Sequence, residues 1–178
     1  MLDSALDWFL LESEAFTQWE VCQITGISTV TLQNWANRGL LDVDSVGKGA
    51  RRTYSAKYVA AIDFAKTMTA MGVEASFALS VGLSVQIGLM RKFRDLTKKQ
   101  MPAGDIETSL LTSIVVIMPD KEAFKHKIDF IDAQKIGLHA FDLARGAIFL
   151  PIGPLLARVI TSALKIKSIN PEQEVQSA

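Results

Sequence analysis

The chain has 178 residues, 49% of them apolar, which is enough for a substantial core in one large domain or two small ones. Lys plus Arg number 19 and Asp plus Glu number 19, so the net charge is zero and any electrostatic footprint must be local. One cysteine and two histidines far apart in sequence exclude a disulfide framework and a four-cysteine site and leave little material for a zinc centre, so neither metal nor cofactor is expected.

The first residues, Met1 to Phe16, carry Asp3, Asp7, Glu12 and Glu14 instead of a basic leader, which does not read as a secretory signal. A reducing cytoplasm is the expected compartment. Leu2, Leu6, Phe9 and Leu10 form a helical stripe, so residues 1–16 read as an amphipathic helical extension that Trp8 and Trp19 help to bury. Thr17 followed by Glu20 is a capping-box pattern and predicts a helix to about Thr25, stopped by Gly26. Ser28 then caps a second helix, Thr29 to Arg38, closed by Gly39. Ile24, Ile27, Val30 and Leu32 are available to pack the two helices together, with Trp35 as an anchor beneath the second. From Leu40 to Tyr54 the pattern reads as a β-ribbon with a glycine-bearing tip.

Ser55 caps a longer helix to Met71, with Val59, Ile62, Phe64, Met68 and Met71 as core positions and Gly72 as its stop. A helix is expected from Glu74 to about Val81 and a separate one from about Ser84 to Gln100. In the latter, Ile87, Met90, Phe93 and Leu96 oppose Arg91, Lys92, Arg94, Lys98 and Lys99. That basic face is either solvated or a supplementary contact to a nucleic-acid backbone. The uncharged run Ala75 to Met90 is 16 residues long and holds three serines and a glutamine, too short and polar for a membrane span.

Met101 to Thr108, with Pro102 and Gly104, reads as a linker. Ser113 to Met118 is a β-branched run and predicts a buried strand, after which Pro119-Asp120-Lys121-Glu122 starts a helix or turn. Leu138–Ala144 and Ala147–Ile152 are predicted as a hairpin about Arg145-Gly146, and Pro154 opens a last helix from Leu155 to about Ile166. From Pro171 the chain reads as a tail. The fold class is mainly α with a smaller α+β part.

The two short helices joined by a tight turn carry the chemistry. In a helix-turn-helix the first helix braces the second, whose early residues reach base edges in the major groove. Ser28, Thr29, Thr31, Gln33 and Asn34 sit at the right place, and Gln and Asn contact adenine bidentately. Arg38, Lys48, Arg51, Arg52 and Lys57 are candidates for neutralising phosphates. Tyr54 either hydrogen-bonds a phosphate or packs beneath the ribbon. Cys22 reads as a small core residue, His126 as solvated and His139 as a hydrogen-bonded core side chain. The carboxylates Asp120, Glu122, Asp129, Asp132 and Asp142 have no geometry fixed by sequence, so no enzymatic activity is expected.

The ordered string Val21-Cys22-Gln23-Ile24-Thr25-Gly26-Ile27-Ser28, Thr31-Leu32, Trp35, Arg38-Gly39-Leu40-Leu41 and Arg52-Thr53-Tyr54-Ser55 resembles the winged-helix DNA-binding domain of MerR-type regulators over about residues 17–82. Members commonly place Arg after the helix-two Leu and aromatics at the next two positions, where this chain has Gln33, Asn34 and Trp35. Thr31-Leu32-Gln33-Asn34-Trp35 and Gly47-Lys48-Gly49 are similar as well to the winged helix of phage terminase small subunits. The resemblance implies that Thr29, Thr31, Gln33 and Asn34 read bases and that Arg38, Arg51 and Arg52 hold phosphates. It also implies a dimer through the helix that follows, for which Leu83, Ile87, Met90 and Leu96 supply a short seam. Metal sensing through cysteine clusters is not expected, because Cys22 stands alone.

The expected organisation is a helical extension (1–16), a winged-helix domain (17–82), a linking and dimerisation helix (83–100), an α+β effector or assembly domain (109–168) and a tail (169–178). The expected function is sequence-specific binding of double-stranded DNA by a dimeric transcriptional regulator, with a small-molecule or protein effector at the C-terminal domain and no membrane partner. Two alternatives stand beside it: a phage or mobile-element protein (terminase small subunit, excisionase or repressor), and a scaffold that keeps the winged-helix fold without binding DNA. From Thr17 to Ala75 there are six basic and five acidic residues, a net of plus one, so non-specific affinity is expected to be modest.

Overall fold

The computed structural model describes residues 15–41, 52–119, 126–132 and 148–169. The expected extension over residues 1–14 with Trp8, the ribbon tip with Lys48 and Arg51, the Asp120–Glu122 corner, the first hairpin run with His139, and the tail all lie outside the described residues. The described residues are mainly helical with a small strand part. Strand β1 (Ala15–Thr17) leads into helix α1 (Gln18–Thr25) and helix α2 (Thr29–Asn37), and β2 (Thr53–Ser55) into α3 (Ala56–Ala70) and α4 (Ala75–Lys98). The rest comprises α5 (Ala103–Leu111), β3 (Ser113–Pro119), β4 (His126–Asp132), β5 (Ile148–Pro151) and α6 (Ile152–Ile169).

The start of α1 is as the sequence predicts. The Thr17 amide donates to Glu20 Oε2 at 2.6 Å and the Glu20 amide to Thr17 Oγ1 at 3.3 Å, which closes the capping box. Gly26 ends the helix at φ 63°, where a side-chain-bearing residue would be strained, and its amide donates to the Cys22 carbonyl at 2.9 Å. Residues 15 and 16, expected within a helix, are instead extended. Ala15–Thr17 pairs antiparallel with Thr53–Ser55, Phe16 opposite Tyr54, because both rings are buried and the pairing satisfies the backbone behind them.

Helix α3 is the centre of the molecule. Nine of its fifteen residues are buried, and α1, α4 and α6 all pack against it. Val59, Ile62, Phe64 and Met68 are core residues as expected, but Met71 is exposed because it stands at the C-cap, past the last inward turn.

The two helices expected between Glu74 and Gln100 are one continuous helix, α4. Its Gly82 lies at the crossing with α3, where an added Cβ would come within 2.7 Å of the Ala61 carbonyl oxygen. The glycine serves close packing and does not interrupt the helix. Met101–Thr108, expected as a linker, forms most of α5, which begins after Pro102 and buries Ile106 and Leu110. Proline at a helix start removes only an amide that has no intrahelical partner.

Strand β3 occupies the centre of a three-stranded antiparallel sheet in the order β4-β3-β5. The β-branched run forms the strand that its composition predicts. Strand β4 was not anticipated: Lys127-Ile128-Asp129-Phe130 alternates charged with apolar residues, and the strand lies on the edge beside β3. Helix α6 begins at Ile152, before Pro154, and packs on β3, α5, α3 and α1. Among the described residues a single buried cluster therefore joins positions from Phe16 to Ala163.

Polar ties reinforce that joint. Arg158 Nη2 of α6 donates to Asp63 Oδ2 of α3 at 2.6 Å, and Asp63 is only 1% exposed. Lys167 Nζ donates to the Ala15 carbonyl at 3.0 Å, lies 3.7 Å from Glu20 Oε1 and stands 5.0 Å over the Phe16 ring. On α4, Lys92 is drawn out of the expected basic face: its Nζ donates to the Ser109 carbonyl and to Ser113 Oγ. Among the described residues no helix is long and apolar enough to cross a membrane.

Candidate nucleic-acid interface

Helices α1 and α2 meet at a turn that is held from three sides. Thr25 Oγ1 donates to the Val21 carbonyl at 2.8 Å and accepts from the Ile27 amide at 3.2 Å. Lys66 of α3 reaches across to the Thr25 carbonyl at 2.7 Å. Ser28 caps α2 by accepting from the Thr31 amide at 3.0 Å, and the two hydroxyls lie 2.8 Å apart. Cys22 is partly buried against the core with its Sγ 3.7 Å from Thr29 Oγ1.

Helix α2 divides into two faces. Leu32 and Trp35 are buried, with Thr31 and Ala36 half-buried beside them. Thr29, Val30, Gln33, Asn34 and Asn37 are exposed. At about 100° per residue those five occupy a continuous arc of about 140°, the opposite side of the helix from Leu32 and Trp35. No described part of the chain occludes Gln33 or Asn34. Val30 was expected to pack between the helices; it is 66% exposed instead, because the face set by Leu32 and Trp35 turns position 30 outward.

The expected readers thus separate into two groups. Thr29, Gln33 and Asn34 share the outward stripe, which Val30 and Asn37 complete. Ser28 and Thr31 lie at its edge with their hydroxyls engaged in the helix cap. Val30 and Asn37 were missed as candidates, although placing Leu32 and Trp35 inward leaves both positions on the other side.

Among the candidate phosphate ligands, Arg52 is half-buried and donates through Nη2 to Asn37 Oδ1 at 3.3 Å, linking the start of β2 to the end of α2. Arg38 is exposed at the C-cap of α2, 3.8 Å from Glu74 Oε1. Both partners are open to water, so the pair contributes little and Arg38 can turn elsewhere at small cost. Lys57 is exposed at the start of α3, 5.5 Å over the Tyr58 ring. Tyr54 takes the packing alternative. It is 1% exposed, and its buried hydroxyl has no partner among the described residues, so it cannot reach a phosphate on the surface. Burial raises its pKa, an effect opposed by the nearby Arg52 cation.

Glu74 caps α4 by accepting from the Phe77 amide at 3.0 Å and from Ser76 Oγ. The Ser76 hydroxyl, helped by the backbone amides of Ser76 and Phe77, holds its carboxyl down to about 2. It therefore stays ionised beside Arg38.

Residues 16–76 match the family model described as MerR HTH family regulatory protein. The matched segment runs from β1 through α4's cap and contains the whole outward stripe of α2. The match agrees with the resemblance carried by the sequence, and the C-terminal half lies outside it. No match to the chain was found among curated proteins.

Proposed function

We propose that this protein is a transcriptional regulator that binds a specific double-stranded DNA sequence as a dimer, with α2 in the major groove and cations at its flanks on the phosphates. One observation carries this reading. In the segment matched to the regulatory family, Thr29, Gln33 and Asn34 stand outward on one stripe of a helix whose other side is anchored by Leu32 and Trp35. The protein's own core has no use for those amides, and amide side chains are suited to adenine edges. Arg38 and Arg52 stand at the Asn37 end of the stripe, and in this reading they, Lys57, Lys48 and Arg51 neutralise phosphates.

The reading is mechanical, with no covalent step, and places the protein in the cytoplasm. Leu83, Ile87 and Met90 of α4 leave an apolar stripe partly open, Ile87 at 46%, which supports pairing with a second copy. The C-terminal part serves effector binding or assembly. Its docking on α1 and α3 through α6 supplies a mechanical route by which an event there could alter the helix-turn-helix.

Selection of bound duplexes from a random pool tests the proposal. An enriched inverted repeat is expected, whereas enrichment of no sequence at low salt would overturn it. Arg52→Ala should weaken binding across all sequences and reduce the salt slope by about one counterion, while Gln33→Ala should relax preference at one base position.

A further inference from the structure

The outward face of α2 contains a side chain that the polar reading does not use. Val30 is 66% exposed, in the first turn of the helix, within a stripe otherwise made of Thr29, Gln33, Asn34 and Asn37. An isolated aliphatic side chain ringed by amides and hydroxyls, on a helix whose far end holds Arg38 and Arg52, is too small an apolar area for a protein partner. Its surroundings suit an anionic partner that presents small apolar groups among hydrogen-bonding ones. The major groove has that character: the thymine 5-methyl is its apolar landmark, set among the acceptors and donors of the base edges.

Resting on the reading that α2 faces duplex DNA, we propose that Val30 is a specificity-determining residue that recognises a thymine methyl. Val30 is three residues from Gln33 and four from Asn34, so their Cβ atoms are about 5–6 Å apart on the helix surface. Successive base pairs are separated by about 3.4 Å along the duplex. The methyl under Val30 therefore belongs to the base pair read by one of these amides or to one next to it. When Gln33 or Asn34 holds an adenine through N6 and N7, the thymine opposite presents its methyl in the same groove. The preferred half-site thus contains an A·T pair at this point, specified jointly by an amide and an aliphatic side chain.

The test uses the full chain and the duplex that emerges from random-pool selection, with each thymine replaced singly by deoxyuridine, which removes the methyl and leaves the pairing edge intact. Wild-type protein is expected to lose about three- to fivefold in affinity at one thymine per half-site, the change that accompanies uncovering one methyl-sized group. Val30→Ala should bind the parent duplex more weakly by a similar factor and become indifferent to that replacement, while Val30→Ile should keep the discrimination. Because the side chain is exposed, Val30→Ala should melt with wild-type cooperativity. If wild-type protein tolerates deoxyuridine at every position, or Val30→Ala retains the full penalty, the assignment of Val30 is overturned while the regulator reading stands. If no duplex is enriched at all, both fall together.

Discussion

Helices α2 and α3 belong to the same matched segment and are built on opposite plans. In α3 the burial goes almost all the way round, nine residues of fifteen, and takes in an aspartate. In α2 only Leu32 and Trp35 are buried among nine residues, and the polar stripe is left to solvent. A helix enclosed by its own chain carries stability. One held by two anchors on a single side has a face to spare, and that face is where recognition can be placed without disturbing the core.

The largest test of this contrast is in the cores. Ile62→Ala in α3 should cost about 2–5 kcal/mol by denaturant unfolding, since a fully buried aliphatic is removed from a site that collapses incompletely. Gln33→Ala in α2 should stay within about 0.5 kcal/mol of wild type. Comparable losses would abolish the distinction.

Next is the joint with α6. Arg158→Ala strips the partner from buried Asp63 and should destabilise by about 1–3 kcal/mol, a figure discounted because the Arg158 side chain is half exposed. Burial raises the Asp63 pKa, and the Arg158 hydrogen bond works against that rise. With the folded value above the ordinary one, Asp63 favours the folded state more at low pH, and this contribution is lost as pH rises from 3.8 through the raised value. Arg158→Ala moves the folded value further up, so its penalty should be larger at pH 7 than at pH 4. Denaturant curves at the two pH values measure this, and equal penalties would show that Asp63 is not the group left unpaired.

A smaller effect sharpens the account of α2 itself. Ser28→Ala removes the side-chain cap and should cost about 1 kcal/mol, with the loss visible as fraying of the first turn in amide exchange. Smallest is Glu74, whose carboxyl is held down to about 2. A depressed carboxylate stabilises the folded state above its ordinary value of 4.5, and that contribution disappears as pH falls through about 2. Glu74→Gln should remove this acid-dependent component from the unfolding curve. A carboxyl that titrates near 4.5 by NMR would contradict the cap.

Where local hydrogen bonding decided the outcome, the residues could be read directly. The Thr17 and Glu20 box, the Gly26 stop and the Ser28 cap each complete their bonds within a few residues, and α1 and α2 begin as predicted. The candidate stripe was legible for the same reason, except at Val30, where hydrophobicity alone suggested an inward side chain, and at Asn37, which lies in the last turn of the helix, away from the early residues taken as readers. The single helix α4 was harder to read because Gly82 looks like a breaker until its neighbour Ala61 is known. Strand β4 was missed because an edge strand with charged alternate positions has no β-branched run to mark it.

The sequence by itself determined the helix-turn-helix, since caps, stops and the Leu32 and Trp35 anchors act over distances of one or two helical turns. Tertiary structure alone decided that Phe16 pairs with Tyr54 and that α6 returns to clasp α1 and α3. It decided as well that Asp63 would be buried against Arg158, 95 positions away in the chain. Such contacts bring together segments whose individual patterns do not name each other, so only the packed chain could reveal them.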